Sequence, residues 1–399
     1  MSVASDSDLV YDPFDWDIRC DPYPTYQRLR DEAPLYHSEE HGFYAVSRFE
    51  DVERAVVDRD TFVSRWGSTI DAVQAKATAP PGLFIAEDPP DHHAHRAMIS
   101  AFFTPKNVAS LEPKTRQFAR EVLDDLDGRD RFDFVSDLAA EVPMRVIGAL
   151  LGIPDSDHAA LRQRFDETMQ AAYSADREPF GDTDLGAQIF GEYVEWRERH
   201  PSDDLMTDLM TREFTDRDGV RRRIPRGQLT VLLLLIASGG SDTTNRMLGW
   251  MGKALSDHPD QRRAVVEDRS LARGAVEETL RYESPNYHVA RYVQVETEFH
   301  GQKLPAGSAL IAIPPSANRD ERVFPDPDAF DVRRKFGHHL SFGYGAHFCI
   351  GAALARLEGR VVLEELLDRI PDWHVDDSAA VLTPGFITRG WATLPVTVG

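Results

Sequence analysis

Ten residues near the C-terminal end carry the strongest chemical signal in the chain: Phe342-Gly343-Tyr344-Gly345-Ala346-His347-Phe348-Cys349-Ile350-Gly351. Glycines let the backbone take turns that other residues resist. Gly351 leaves room just after the cysteine for something flat and bulky. The residues that follow read as a helix from about Cys349 to Ile370, with Ala352, Leu354, Ala355, Val361, Val362 and Leu366 mostly on one buried side. A thiol at a helix N-terminus meets free N–H groups and the positive end of the helix dipole, and both favour the metal-binding thiolate. A lone cysteine is ordinarily inert and buried; here the pattern around it decides.

Three other constellations could do chemistry. Glu278 and Arg281 are three apart on one helix face and can pair, although such a pair on a surface is worth under ~1 kcal/mol. Gly239-Gly240-Ser241-Asp242-Thr243-Thr244 interrupts a long apolar helix, where each glycine costs about 1 kcal/mol relative to alanine. A sequence that accepts this needs backbone room, a local bend, or a close packing crossing, and threonine can bond back to a carbonyl and open the helix. Asp88-Pro89-Pro90-Asp91-His92 leads into Arg96. His92 and Arg96, at i and i+4, face the same way and suit an anionic group, unless that face is simply solvated.

Taken together these segments resemble the cytochrome P-450 superfamily. The cysteine loop matches the family pattern Phe-Gly-x-Gly-x-His/Arg-x-Cys-x-Gly at Phe342, Gly343, Gly345, His347, Cys349 and Gly351. The resemblance implies a mainly α fold with small β-sheets, one large domain over 1–399 enclosing haem b (iron protoporphyrin IX), with Cys349 as the axial ligand to iron. Glu278 and Arg281 would form a structural network on the cysteine side, with a meander resembling Phe324, Pro325, Asp326, Pro327, Phe330 and Arg333. Thr243 would supply a hydroxyl and Asp242 would feed a proton relay, with Gly239 and Gly240 making a groove for O2. His92, Arg96, Arg291 and His347 would hold the haem propionates.

The resemblance also places a substrate pocket. Trp66, Phe84 and Ile85 come from an irregular stretch and Met169 from before a polar loop. Leu235 and Ser238 lie on the long helix, Tyr287 and Val289 precede a strand, and Phe386 and Ile387 lie near the C-terminus. Most are apolar, which favours a lipophilic small molecule: a terpenoid, steroid or fatty-acid-like compound. The implied reaction inserts one oxygen atom of O2 into a C–H bond. No Gly-rich nucleotide motif, flavin domain or iron–sulfur domain is present, so electrons would come from a separate ferredoxin and its NAD(P)H-dependent reductase. Between Arg333 and Arg360, Arg333, Arg334, Lys335, Arg356 and Arg360 stand against Glu358, a basic island that would steer an acidic ferredoxin. The alternatives are a peroxygenase or isomerase on the same fold, which would not need Asp242 and Thr243, or a non-catalytic haem sensor.

These side chains need a largely helical scaffold. The pattern predicts a helix at Tyr23–Glu32, a hairpin of 35–37 and 43–46 about Gly42, a short helix at 51–58, and irregular chain over 63–91. Helical pattern then runs to about Pro201, with breaks at Pro105, Pro154 and 174–183. A charged loop follows at 211–227, then an apolar helix from Leu229 to Leu255 and further helix to Tyr282. Val293, Val295, Thr297 and Phe299 alternate with polar residues, and Leu304 to Ile313 reads as the returning strand of one hairpin about His300-Gly301. Residues 314–348 read as loop and 381–398 as strands.

The bulk numbers agree with that scaffold. Hydrophobic residues make up 42% of 399, enough for a core that holds a large cofactor. The net charge is −22, from 45 basic and 67 acidic residues, which repels phosphate backbones and argues against nucleic acid as a partner. Two cysteines and an acidic N-terminus without a secretory pattern suit a reducing cytoplasm. The longest apolar run, Val231 to Ala237, falls far short of the roughly 20 residues of a membrane span, so no membrane anchor is expected.

Overall fold

A computed structural model describes residues 9–172, 180, 184–385 and 387–399. Its centre is the helix Arg226–Asp257, 32 residues long. Leu229, Leu232, Leu233, Ile236, Met247, Leu248, Met251 and Leu255 are nearly inaccessible along it, each burial being worth about 1.5–3 kcal/mol. The helices Leu185–Arg199, Glu141–Leu151, Ala272–Tyr282 and Ala352–Arg369 pack around this axis. At one crossing the backbones nearly touch: a Cβ on Gly186 would lie 2.4 Å from the Thr230 carbonyl oxygen.

Beside the helices lies a five-stranded sheet in the order Leu35–Ser38, Phe43–Val46, Ala309–Ala312, Val289–Val293, Phe62–Val63. Only the pair Phe43–Val46 and Ala309–Ala312 is parallel; the others are antiparallel. Two apolar clusters cover this sheet, one with Phe49, Val52, Phe62 and Phe324, the other with Tyr11, Tyr26, Phe43 and Ile311.

The helix Tyr23–Glu32 and the hairpin Leu35–Ser38/Phe43–Val46 lie where the sequence predicts them. The short helix is Phe49–Val57, two residues earlier than expected. The single expected hairpin over 289–313 is two structures. Thr297–Phe299 pairs with Gln302–Leu304 as a small separate hairpin, while Val289–Val293 pairs with Ala309–Ala312 inside the sheet. The missed break is Pro305-Ala306-Gly307: Gly307 sits at φ +92°, which no strand interior accepts, and its N–H returns to the Val293 carbonyl at 2.8 Å. The charged loop 211–227 also contains a hairpin, Glu213–Thr215 with Arg221–Arg223. Having no buried face, it carries no apolar alternation to read.

Candidate functional site

The cysteine loop is shaped by its own backbone. Gly343 and Gly345 sit at φ +65° and +72°, and a Cβ on Gly345 would press on Val57 at 3.4 Å. The Cys349 N–H donates to the Phe342 carbonyl at 2.8 Å, closing the loop. The following helix starts at Ala352, not at Cys349, with Gly351 as its cap. The thiol therefore precedes the helix by three residues. Burial pushes it up, opposed by the N–H groups of Gly351 and Ala352 and by the charges of Arg96 and Arg356. A Cβ at Gly351 would find the Cys349 sulfur at 3.9 Å and nothing nearer, so the space beside Gly351 on the sulfur side is unfilled.

Glu278 and Arg281 brace this loop. Arg281 donates to both oxygens of Glu278, at 2.7 and 2.8 Å, and to the carbonyls of Asn318, Pro327 and Ala329. Arg334, rather than Arg333, completes the network with a 3.0 Å bond to Glu278. Asn318 accepts from the Leu340 N–H and donates to Ser341, while Ser341 donates to the Leu280 carbonyl at 2.6 Å. The network thus grips the two residues before Phe342. Glu277, next along the helix, accepts from Arg356 at 2.5 and 3.0 Å and from His339 at 3.3 Å. Arg356 also lies over the Phe342 ring at 4.5 Å.

The four expected propionate ligands come together. His92 is 1% exposed, and neither of its ring nitrogens has a hydrogen-bond partner. Its ring lies 4.2 Å from that of His347. Arg291, held in the sheet by the pairing of its strand with Ala309–Ala312, is 4% exposed, and among the described residues its guanidinium donates only to the neighbouring Ala290 carbonyl. Arg96 donates to the Phe348 carbonyl at 2.6 Å. Burial, followed by the charges of Arg291, His92 and Arg96, pushes His347 down to about 2; burial pushes His92 down to about 4 and Arg291 to about 10. A buried charge such as that of Arg291, and buried polar groups without partners such as the nitrogens of His92, are costly. Two carboxylates would relieve them, so the donor set fits a haem bound through its propionates, with Cys349 supplying sulfur to iron.

On the long helix, Leu235, Ser238, Asp242 and Thr243 are half-buried and Gly239 is exposed, while Leu232, Leu233, Ile236, Ala237 and Thr244 are buried. The accessible residues recur at helical spacing and form one stripe. Thr243 Oγ1 donates to the Gly239 carbonyl at 2.8 Å. Gly239 has nothing within 4 Å of an added Cβ, whereas Gly240 lies against Ile147. Asp242 accepts from Arg246 at 2.8 Å and from Thr388 at 3.0 Å. Neither partner is among the residues that the sequence singles out. Arg246 stands at i+4 from Asp242, a spacing that could have revealed it; Thr388 is 146 residues away and left no such signal.

The expected pocket residues are placed unevenly. Trp66 is half-buried, with an edge contact to Tyr292. Phe84 belongs to the main core and meets His92 at 6.2 Å, while Ile85 is 40% exposed. Tyr287 is 5% exposed and its hydroxyl turns to the Arg19 carbonyl, toward the N-terminal helix. Val289 and Ile387 are half-buried. The side chain of Met169, and Phe386 altogether, lie outside the described residues.

The expected basic island is largely paired. Arg334 serves Glu278, Arg356 serves Glu277, and Arg360 bonds Glu112 and Glu364. Arg333 and Lys335 remain exposed. Among the described residues, no helix is long and apolar enough to cross a membrane.

The family model for "Cytochrome P450" matches residues 153–376. Cytochrome P450 123 of Mycobacterium tuberculosis is 38% identical, covering 99% of this chain and 98% of its own. A steroid C26-monooxygenase of the same organism is 33% identical over 93% and 92%. Among solved structures, cytochrome P450 CYP109Q5 from Chondromyces apiculatus matches with a TM-score of 0.85 at 34% identity, covering 97% of this chain and 98% of that one.

Proposed function

The chain belongs to the cytochrome P450 family and is a haem-dependent monooxygenase, and from that premise we propose how its own residues divide the work. Cys349 is the axial thiolate, and His92, Arg96, Arg291 and His347 hold the propionates. One observation carries this assignment: beside the cysteine loop stand His92, buried with both nitrogens unpartnered, and Arg291, buried with only its own chain to bond. When bound, thiolate-ligated haem b supplies reductive cleavage of O2 and insertion of one oxygen atom into a C–H bond, the other leaving as water.

The protein's part in the reaction is positioning and proton delivery. Asp242 takes protons from the solvent side, and Thr243 Oγ1 passes them inward after releasing the Gly239 carbonyl. The half-buried stripe ending in Leu235 and Ser238, with Trp66, Val289 and Ile387, receives a lipophilic molecule of terpenoid, steroid or fatty-acid type and keeps water out. The steroid oxidation named for one relative supports this substrate class. Electrons arrive from a ferredoxin and its NAD(P)H-dependent reductase. A surface recess of about 630 Å³ beside the cysteine loop, lined by Arg273, Lys335, Phe336, Tyr344, Phe348 and Arg356, suits an acidic partner. The setting is cytoplasmic.

Turnover under ¹⁸O2 with a surrogate ferredoxin and reductase tests the reading: product carries one labelled oxygen. Equal yield from hydrogen peroxide alone, undiminished in Thr243→Ala, would favour the peroxygenase alternative instead.

A further inference from the structure

The carboxylate of Asp242 has both oxygens engaged, by partners of different kinds. Oδ1 accepts from the Arg246 guanidinium at 2.8 Å, and Oδ2 accepts from the Thr388 hydroxyl at 3.0 Å. A guanidinium can only donate, whereas a hydroxyl donates or accepts. Arg246 therefore keeps Oδ1 an acceptor in either form of the acid, which leaves Oδ2 for the proton. Thr388 can donate to the carboxylate and, after rotation, accept from the protonated acid. Asp166 of the helix His158–Ala172, paired with Arg162 at 3.5 Å, is a further charged group facing Asp242.

Both partners are tied to one short segment, 388–391. Arg246 gives its other nitrogen to the Trp391 carbonyl at 2.9 Å, and its stem runs so close to the chain that a Cβ on Gly390 would fall 2.3 Å from its Cδ. The segment is itself held firmly. Thr388 bridges Asn286, and the Arg389 N–H donates to the Pro285 carbonyl at 2.7 Å. The buried Arg389 guanidinium pairs with Glu283 and donates to the carbonyls of Arg19 and Cys20. Trp250 donates to the Arg389 carbonyl at 3.1 Å. On the other side of Thr388 is Ile387, half-buried and accepting from the Tyr287 N–H. Ile387 directly precedes Thr388 in the chain, so the segment that holds Thr388 against Asp242 also carries Ile387.

We infer that Thr388 is a positioning residue for proton delivery. Its hydroxyl makes Oδ2 the oxygen of Asp242 that gains and loses the proton, and ties that oxygen to the segment carrying Ile387, so that a substrate seated against Ile387 aligns the acid. This rests on the relay role proposed for Asp242.

The test uses full-length, haem-loaded protein with surrogate ferredoxin and reductase, and testosterone and myristic acid as probes. Thr388→Val keeps the side-chain volume and removes the hydroxyl; Thr388→Ser keeps the hydroxyl. In the valine variant, product per NAD(P)H falls about fivefold, the missing electrons appearing as peroxide or water. The probe dissociation constant, read from the spin-state shift of ferric iron, changes by less than about threefold. Serine restores the product ratio. The double variant Thr388→Val/Asp242→Ala is no more uncoupled than Asp242→Ala, and the two substitutions are non-additive in chemical unfolding, a readout that needs no probe. An unchanged product ratio in the valine variant, additive unfolding, or weakened probe binding with the ratio intact would overturn the inference. If Asp242→Ala is itself fully coupled, the relay reading falls with it; if only Thr388→Val is coupled, this inference falls alone.

Discussion

The Arg281 guanidinium and the Glu278 carboxylate are joined by two hydrogen bonds, at 2.7 and 2.8 Å, with neither side chain more than 1% exposed. Breaking a buried pair strands the surviving charge, which costs about 3–5 kcal/mol. Glu278→Gln and Arg281→Ala should each lose that much in chemical unfolding and should loosen the cysteine loop through Asn318, Leu340 and Ser341. Glu32→Gln, which breaks the exposed pair of Arg28 and Glu32, should leave the unfolding curve unchanged. Comparable losses in both would remove the network from the account.

Glu277 gives a pH dependence. Burial works against its charge, but the hydrogen bonds from His339 and Arg356 outweigh it and hold the carboxyl down at about 2, against an ordinary value of 4.5. A depressed folded value adds stability above the unfolded one, and that stability disappears as pH falls from about 4.5 toward 2. Because the side chain is nearly a third exposed, the contribution at neutral pH is about 1 kcal/mol after screening. The unfolding curves of wild type and Glu277→Gln should differ at pH 7, begin to approach below about pH 4.5 and converge toward pH 2.

Arg291 predicts opposite effects in two states. Its charge is buried with only its own chain to bond. Arg291→Met should leave the haem-free protein as stable or more so by about 1 kcal/mol, because an uncompensated charge is removed. The same variant should release haem about tenfold faster, because a propionate loses its partner. Loss of stability in the haem-free protein would show that Arg291 serves the fold.

The docking face can be dissected by pairing. Lys335 is exposed, so Lys335→Glu should slow reduction by ferredoxin at low salt, with the difference collapsing as salt rises. Arg360→Glu should act instead on stability, because it places a third carboxylate beside Glu112 and Glu364 and leaves Arg116 to pair with both. Equal electron-transfer rates for Lys335→Glu and wild type at low salt would move the docking site elsewhere.

Local patterns were readable in the sequence. The helix Tyr23–Glu32 and the hairpin that follows announce themselves by periodicity and a turn glycine. The residues around Cys349 are contiguous, so their spacing alone identifies the loop. Features that depend on chain folding back were not legible. Arg334 differs from Arg333 only in which way the chain faces after Asp331, and Thr388 meets Asp242 across 146 residues. The basic island looked charged because its partners, Glu112 and Glu277, lie far upstream. Pro305-Ala306-Gly307 was within reach: a proline and a glycine two apart mark a turn, but the apolar run after it reads as one strand.

The central claim is Cys349 as thiolate ligand to haem iron. It is tested most directly by the absorption spectrum of the reduced, CO-bound, haem-loaded protein. The wild type should show the red-shifted Soret band of thiolate ligation, and Cys349→Ala should lack it. A folded, haem-loaded wild type without that band, or a Cys349→Ala protein that keeps it, would contradict the account.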